Sequence, residues 1–75
     1  FEFMEAMVLA MFRACRKGIA FNSLSAWAPR REAGEFHADP LETLAYCRGL
    51  TPRVALRHDY HPNDFTIYMR RERDL

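Results

Sequence analysis

A chain of 75 residues has room for one domain, and a core of that size contributes only about 3–5 kcal/mol to stability before oligomerisation is counted. Its net charge of +1 excludes the strong positive field that attracts nucleic acid or anionic lipid. The two cysteines lack metal-site spacing, which indicates two buried free thiols in a reducing compartment, with a disulfide as the less favoured alternative. No apolar run approaches the ~20 residues of a membrane span. We therefore predict a cytoplasmic protein without nucleic-acid or membrane partners.

A helix is predicted over residues 2–16. The acids Glu2 and Glu5 suit its positive N-terminal end and do not fit a signal peptide, and Gly18 is expected to stop the helix. Its apolar stripe favours a core face, with a docking face for another protein as the alternative. The stripe has amphipathic-helix spacing and consists of Phe3, Met4, Met7, Val8, Met11, Phe12 and Cys15.

A strand is predicted over residues 18–25, and it is apolar on both alternating faces. That pattern is typical of an interior strand, so we expect the other elements to pack on it or pair with it. The connection over residues 26–38 is longer than a compact domain needs, and we expect Trp27 to be partly exposed there. Arg30 and Arg31 beside it suit an anionic or planar ligand, although solvation is the commoner role.

A second helix is predicted over residues 39–48. Asp39 is placed to cap it, Pro40 stands at its first position, and Glu42 follows the cap by three residues. We expect Gly49 to end it in a left-handed conformation. The side chains predicted to face the core are Leu41, Leu44 and Ala45, with Cys47 beside them.

Two strands over residues 53–59 and 65–70 are predicted to form an antiparallel hairpin. The first has a charged face that suits a sheet edge, so we place the less charged last strand in the middle. The result is one α/β domain over residues 1–75, helix-strand-helix-strand-strand, with a three-stranded mixed sheet in order 1-3-2. Because the first strand then has an unpaired edge, we predict a homo-oligomer or a missing N-terminal half that covers it.

Motifs for catalysis are absent from the sequence. Ser25 lacks the flanking glycines of a nucleophile elbow, and there are no paired carboxylates and no phosphate-binding glycine loop. His58, Asp59 and His61 lie close together, but strand alternation lets at most two of them converge. We interpret them as solvated residues at a strand end, and we predict neither a metal site nor a catalytic residue.

Three stretches carry a family resemblance. Residues 17–25 resemble the fifth strand of a bacterial branch of the class I S-adenosylmethionine-dependent methyltransferases. Residues 39–47 are similar to the last helix of that branch, and residues 51–60 and 64–69 to its terminal hairpin. The resemblance covers nearly the whole chain but only the C-terminal half of the family.

The resemblance implies a partial Rossmann-like half-fold whose last strand is inserted antiparallel between the fifth and sixth strands. The glycine-rich turn and the acid that hold S-adenosylmethionine in the family lie upstream of these segments, so no cofactor-binding residue is predicted in this chain. The family's connection after the fifth strand borders the substrate. The residues that the resemblance places on this substrate side are Ser25, Trp27, Arg30, Arg31, Tyr60 and His61.

The predicted function is therefore that of a C-terminal methyltransferase fragment, inactive alone. Phe1 in place of Met agrees with an excised or truncated piece. The alternative is a stand-alone binding or assembly module that retains the half-fold.

Overall fold

The computed structural model describes residues 1–29, 34 and 36–71 as a small α/β fold. The element ends differ from the predicted ones by one or two residues. No helix in these ranges is long and apolar enough to cross a membrane. The elements are α1 (Glu2–Ala14), β1 (Gly18–Leu24), α2 (Pro40–Leu50), β2 (Arg53–Arg57) and β3 (Asp64–Arg70).

The three strands form one sheet in the order β1-β3-β2, which confirms the predicted order and the central, antiparallel last strand. Ile67 of β3 lies opposite Phe21 on one side and opposite Leu56 on the other. Because β1 and β2 each pair with β3 and not with each other, both ladders are antiparallel. The predicted mixed sheet is wrong in this respect.

The buried centre of the sheet is β3. Phe65, Ile67 and Met69 are each at most 1% exposed, whereas no residue of β1 is buried. The edge position of β1 agrees with the predicted order, but the burial that its interior-type pattern led us to expect on both faces is not observed. The apolar pattern of β1 suits burial on both faces, but its edge position leaves one flank open.

Both helices pack on the same face of the sheet, where β3 supplies the largest buried side chains. The opposite face carries exposed residues such as Asn22, Tyr68 and Arg70, and its polarity suits contact with water. The buried cluster consists of Val8, Phe12, Ala38, Cys47, Phe65, Ile67 and Met69.

The apolar stripe of α1 is divided between the core and the surface. Val8 and Phe12 are buried, as predicted for a core face. Phe3, Met7 and Met11 are exposed by 78%, 48% and 39%. The stripe spans more of the helix circumference than the narrow sheet can cover, so its second half has no cover within the described chain.

The start of α2 agrees with the predicted cap. Asp39 Oδ1 accepts the N–H of Leu41 at 2.8 Å and of Glu42 at 3.2 Å, and Pro40 occupies the first turn. These bonds satisfy two of the free donors at the helix start.

The buried face of α2 differs from the prediction. Thr43 and Cys47 are buried, while Leu41 is 61% exposed and Ala45 is exposed. Thr43 tolerates burial because its Oγ1 donates to the Asp39 carbonyl oxygen at 2.8 Å.

Two glycines have roles other than those predicted. The first helix ends at Ala14 with Cys15 extended, so Gly18 is not its stop. A Cβ at Gly18 would collide with the Met69 carbonyl oxygen and lie 3.0 Å from the Arg70 Cα, so glycine permits close strand approach here. Gly49 lies inside α2 without a positive φ, and a Cβ there meets open space.

Replacement by alanine should change the free energy of unfolding in opposite directions at Gly18 and Gly49. Gly18→Ala should lower the free energy of unfolding by roughly 1–3 kcal/mol, because the β1–β3 backbone contact must open. Gly49→Ala should raise it by roughly 0.5–1 kcal/mol, because alanine favours an open helical site. Urea unfolding followed by circular dichroism measures both, and an unchanged midpoint for Gly18→Ala would contradict the close approach.

Candidate functional site at the ends of the two outer strands

Ser25 and His58 meet where β1 and β2 end. Both strands run antiparallel to β3, so the carboxyl ends of β1 and β2 lie at the same end of the sheet. Ser25 follows β1 directly and His58 follows β2 directly. The Ser25 Oγ lies 2.7 Å from the His58 Nε2, which joins the two outer strands across β3.

Ser25 is fully buried and is bonded through its backbone as well as its side chain. Its N–H donates to the Asn63 carbonyl at 2.7 Å, and its carbonyl accepts the Ala28 N–H at 3.0 Å. Its Oγ also accepts the Trp27 N–H at 3.0 Å. A hydroxyl–imidazole pair at this distance resembles an activated nucleophile, but an enclosed Oγ has no access to a substrate. Ser25 therefore organises the site.

His58 is half-buried between two aromatic rings. Its ring centroid lies 5.2 Å from that of Trp27 and 6.1 Å from that of Phe65, with interplanar angles of 12° and 24°. The interpretation of His58 as a solvated residue is wrong. Alternation continues beyond the strand and keeps His58 on the same face as Leu56, which was the available signal. Its partner Ser25 is 33 residues away, and no local pattern indicates that pairing.

Trp27 is 51% exposed, as expected from its place in the long connection. Its backbone bond to Ser25 and its stacking on His58 hold the indole at the sheet edge. Ser25, Trp27 and His58 thus form one cluster. Its exposed part is the Trp27 indole, which is held by the hydrogen-bonded pair of Ser25 and His58. Arg30 and Arg31, also predicted on this side, lie outside the described residues.

Tyr60 and His61 are not brought into this cluster by any described contact. Tyr60 Oη lies 2.6 Å from Thr66 Oγ1, which donates to Asn22 Oδ1 at 2.7 Å on the polar face of the sheet. The Thr66 proton is used in that bond, so the Tyr60 hydroxyl is the donor. His61 Nδ1 accepts the Asn63 N–H at 3.0 Å within the turn. The predicted substrate side is thus split between the two faces.

Asp59 is turned toward Arg57. Arg57 Nε and Nη2 lie 3.2 and 3.1 Å from its two carboxylate oxygens. The hydrogen bond from Arg57 lowers the pKa of the Asp59 carboxyl below its ordinary value. Across the described ranges, no three His, Cys, Asp or Glu side chains are grouped to hold a metal ion.

A second feature is an apolar groove of about 420 Å³ between α1 and β1. Its lining includes no charged side chain, and it contains the exposed half of the α1 stripe. The groove contacts the open flank of β1 through Phe21 and Asn22. Large apolar side chains in the lining are Phe1, Phe3, Met4, Met7, Met11, Phe21 and Phe36.

Both cysteines are free, as predicted, but the predicted burial holds only for Cys47, since Cys15 is half-buried. Cys47 is fully buried in the core, and burial raises the pKa of its thiol from 9.0 to about 11.

The chain matches no protein-family model, no curated protein and no solved structure.

The contacts of Ser25 predict its effect on stability. Ser25→Ala should lower the free energy of unfolding by about 1–3 kcal/mol, because the His58 Nε2 and the Trp27 N–H both lose a partner. Ser23→Ala is the matched control and should cost less than about 1 kcal/mol, since the Leu24 carbonyl it contacts still accepts the Ala38 N–H. Urea unfolding followed by Trp27 emission compares them, and equal effects would contradict the organising role of Ser25.

The raised thiol pKa of Cys47 predicts a pH dependence. Between pH 9 and 11 the unfolded chain loses this proton while the folded chain keeps it, so stability falls with rising pH. The loss should reach roughly 2–3 kcal/mol by pH 11. Cys47→Ala should flatten this part of the stability curve. The same slope in Cys47→Ala as in the parent chain would show that other groups cause it.

Proposed function

We propose that this chain is the C-terminal part of a Rossmann-like, S-adenosylmethionine-dependent methyltransferase, and that it has no transferase activity alone. The observation that carries the proposal is the strand order β1-β3-β2 with β3 antiparallel to both neighbours. The resemblance of residues 17–25, 39–47, 51–60 and 64–69 implies this arrangement for the last three strands of that family. The strand order agrees with the arrangement that the sequence resemblance implies, and this agreement supports the proposal.

The position of the aromatic cluster also supports a substrate-side role. In α/β sheets ligands bind outside the carboxyl ends of strands, and Ser25, Trp27 and His58 lie at such ends. In this proposal the Trp27 ring contributes an apolar wall to the methyl-acceptor site. Ser25 and His58 hold that ring in place and take no part in the transfer.

The described residues do not fit a cradle for S-adenosylmethionine. Such a cradle needs a glycine turn directly after a strand, where the backbone approaches the ligand. Gly18 begins a strand and faces the Met69 carbonyl, and Gly49 lies within α2. Gly34 has a positive φ of 90°, but it lies ten residues after Leu24, the last residue of β1. We therefore assign the cofactor to a part of the protein upstream of these elements.

This assignment predicts that the 75-residue chain does not bind S-adenosylmethionine. Isothermal titration should detect no heat of binding up to millimolar ligand, because the described residues contain no glycine turn directly after a strand. A dissociation constant near the micromolar range would contradict the assignment.

The decisive test uses the reading frame immediately upstream. The proposal requires it to encode a strand followed by Gly-x-Gly-x-Gly, and the longer protein should bind S-adenosylmethionine in the same titration. Replacing the glycines of that turn by valine should abolish binding, while Gly49→Ala in the same protein should leave it unchanged. An unrelated upstream sequence would refute the proposal.

A stand-alone assembly module is the second candidate function. The apolar groove beside the open edge of β1 favours it, because such a surface is rarely left in water by a monomer. An unrelated upstream sequence would support this candidate.

A further inference from the structure

The backbone of β1 has a defined open edge. The Arg71 N–H donates to the Lys17 carbonyl at 2.8 Å, and the Ser25 N–H donates to the Asn63 carbonyl at 2.7 Å. In an antiparallel ladder these bonds alternate, so the odd-numbered residues of β1 direct their backbone groups toward β3. The even-numbered residues direct theirs to the other side. The Ala38 N–H reaches the Leu24 carbonyl from that side at 2.9 Å, which agrees with this assignment.

The edge is available over only part of its length. Leu24 is already used by the short parallel bridge between Ser25 and Ala38. Among the hydrogen bonds of the described residues, none reaches the backbone of Ala20 or Asn22 from the open side. An incoming strand therefore has free partners around Ala20 and is blocked beyond Asn22.

Charges are distributed unevenly along this edge. The groove lining contains no charged side chain and joins most of α1, from its start to Met11, to the C-terminal half of β1. Only residues 15–17 separate the end of α1 from the start of β1, so the C-terminal end of α1 lies near the start of β1. The acids Glu2 and Glu5 therefore lie toward the end of β1. The bases at the other end of α1, Arg13, Arg16 and Lys17, lie toward its start. The helix beside the edge is thus acidic toward one end of β1 and basic toward the other, and the groove along it is uncharged.

We propose that a second copy of the chain occupies this edge, with the two β1 strands paired antiparallel. A two-fold axis beside Ala20 sets Ala20 against the partner's Ala20 and Gly18 against the partner's Asn22. In this register only the outward-facing backbone groups bond, and the pairing stops before the blocked position at Leu24. The two sheets become one sheet of six strands.

Charge complementarity selects a second copy as the occupant. The two-fold axis reverses the partner's α1, so the acidic end of each copy lies beside the basic end of the other. The exposed side chains of Phe3 and Met7 then cover the partner's groove. A copy in the same orientation would instead set like charges together. This proposal concerns the 75-residue chain itself and does not rest on the proposed function.

The first test is sedimentation equilibrium across a hundredfold dilution around micromolar concentration. The parent chain should form a dimer. Ala20→Pro should be a folded monomer, because it removes an outward N–H that the internal ladder does not use. Ala20→Thr is the matched control that keeps the N–H and should remain dimeric. Phe3→Ser should weaken the dimer by about tenfold or more without unfolding the chain, since Phe3 is 78% exposed.

The second test exchanges the charges. Glu2→Lys and Arg16→Glu should each raise the dimer dissociation constant several-fold, and the double variant should restore it, with circular dichroism confirming an equal helix content. A folded, monomeric parent chain would overturn the proposal and leave the edge for another polypeptide. If Ala20→Pro and Phe3→Ser leave the dimer dissociation constant unchanged, the copies meet at another surface and the proposal is overturned. If the charge exchange fails to restore association, the antiparallel arrangement is wrong.

Discussion

The pairing of β3 with both outer strands is the interaction on which the rest of the structure depends. β1 and β2 have no ladder with each other, and each is ordered through the backbone bonds it makes with β3. The inner face of β3 also supplies Phe65, Ile67 and Met69, against which both helices pack. A single strand thus provides the hydrogen-bond frame and the centre of the core. Glycine at position 18 is therefore needed because it lets the β1 backbone lie close to β3, and not because of its conformational freedom.

The same frame creates the candidate site. Two strands that flank a central antiparallel strand run in one direction, so Ser25 and His58 arrive at one edge although they are distant in sequence. Their hydrogen bond links the C-terminal ends of β1 and β2, and the Trp27 ring stacks on the His58 ring at this end of the sheet. Because Ser25 is enclosed, the exposed indole is the part of this cluster that a ligand can reach.

A small core limits what the chain can protect from water. Three strands are too few to cover the whole apolar circumference of α1, and the uncovered half forms a groove beside β1. Within the described part of the chain, the outward backbone groups of Ala20 and Asn22 on this side of β1 have no partner. The proposed methyltransferase fragment and the proposed dimer each provide a cover for this apolar surface. In one, the upstream part of a larger sheet completes the edge, and in the other a second copy does so. They describe different molecules, the longer protein and the short chain, and are therefore compatible.

Local signals in the sequence determined the elements and their order. The spacing of the apolar residues in α1, the Asp39 cap and the alternation of β2 depend on neighbours within one element, and charge alone placed β3 in the middle. Tertiary packing decided the rest. Whether Thr43 or Leu41 of α2 faces the core depends on how the helix is rotated against the sheet, and the partner of His58 depends on how separate strands align. Such contacts join residues far apart in the chain, so no spacing within one element specifies them.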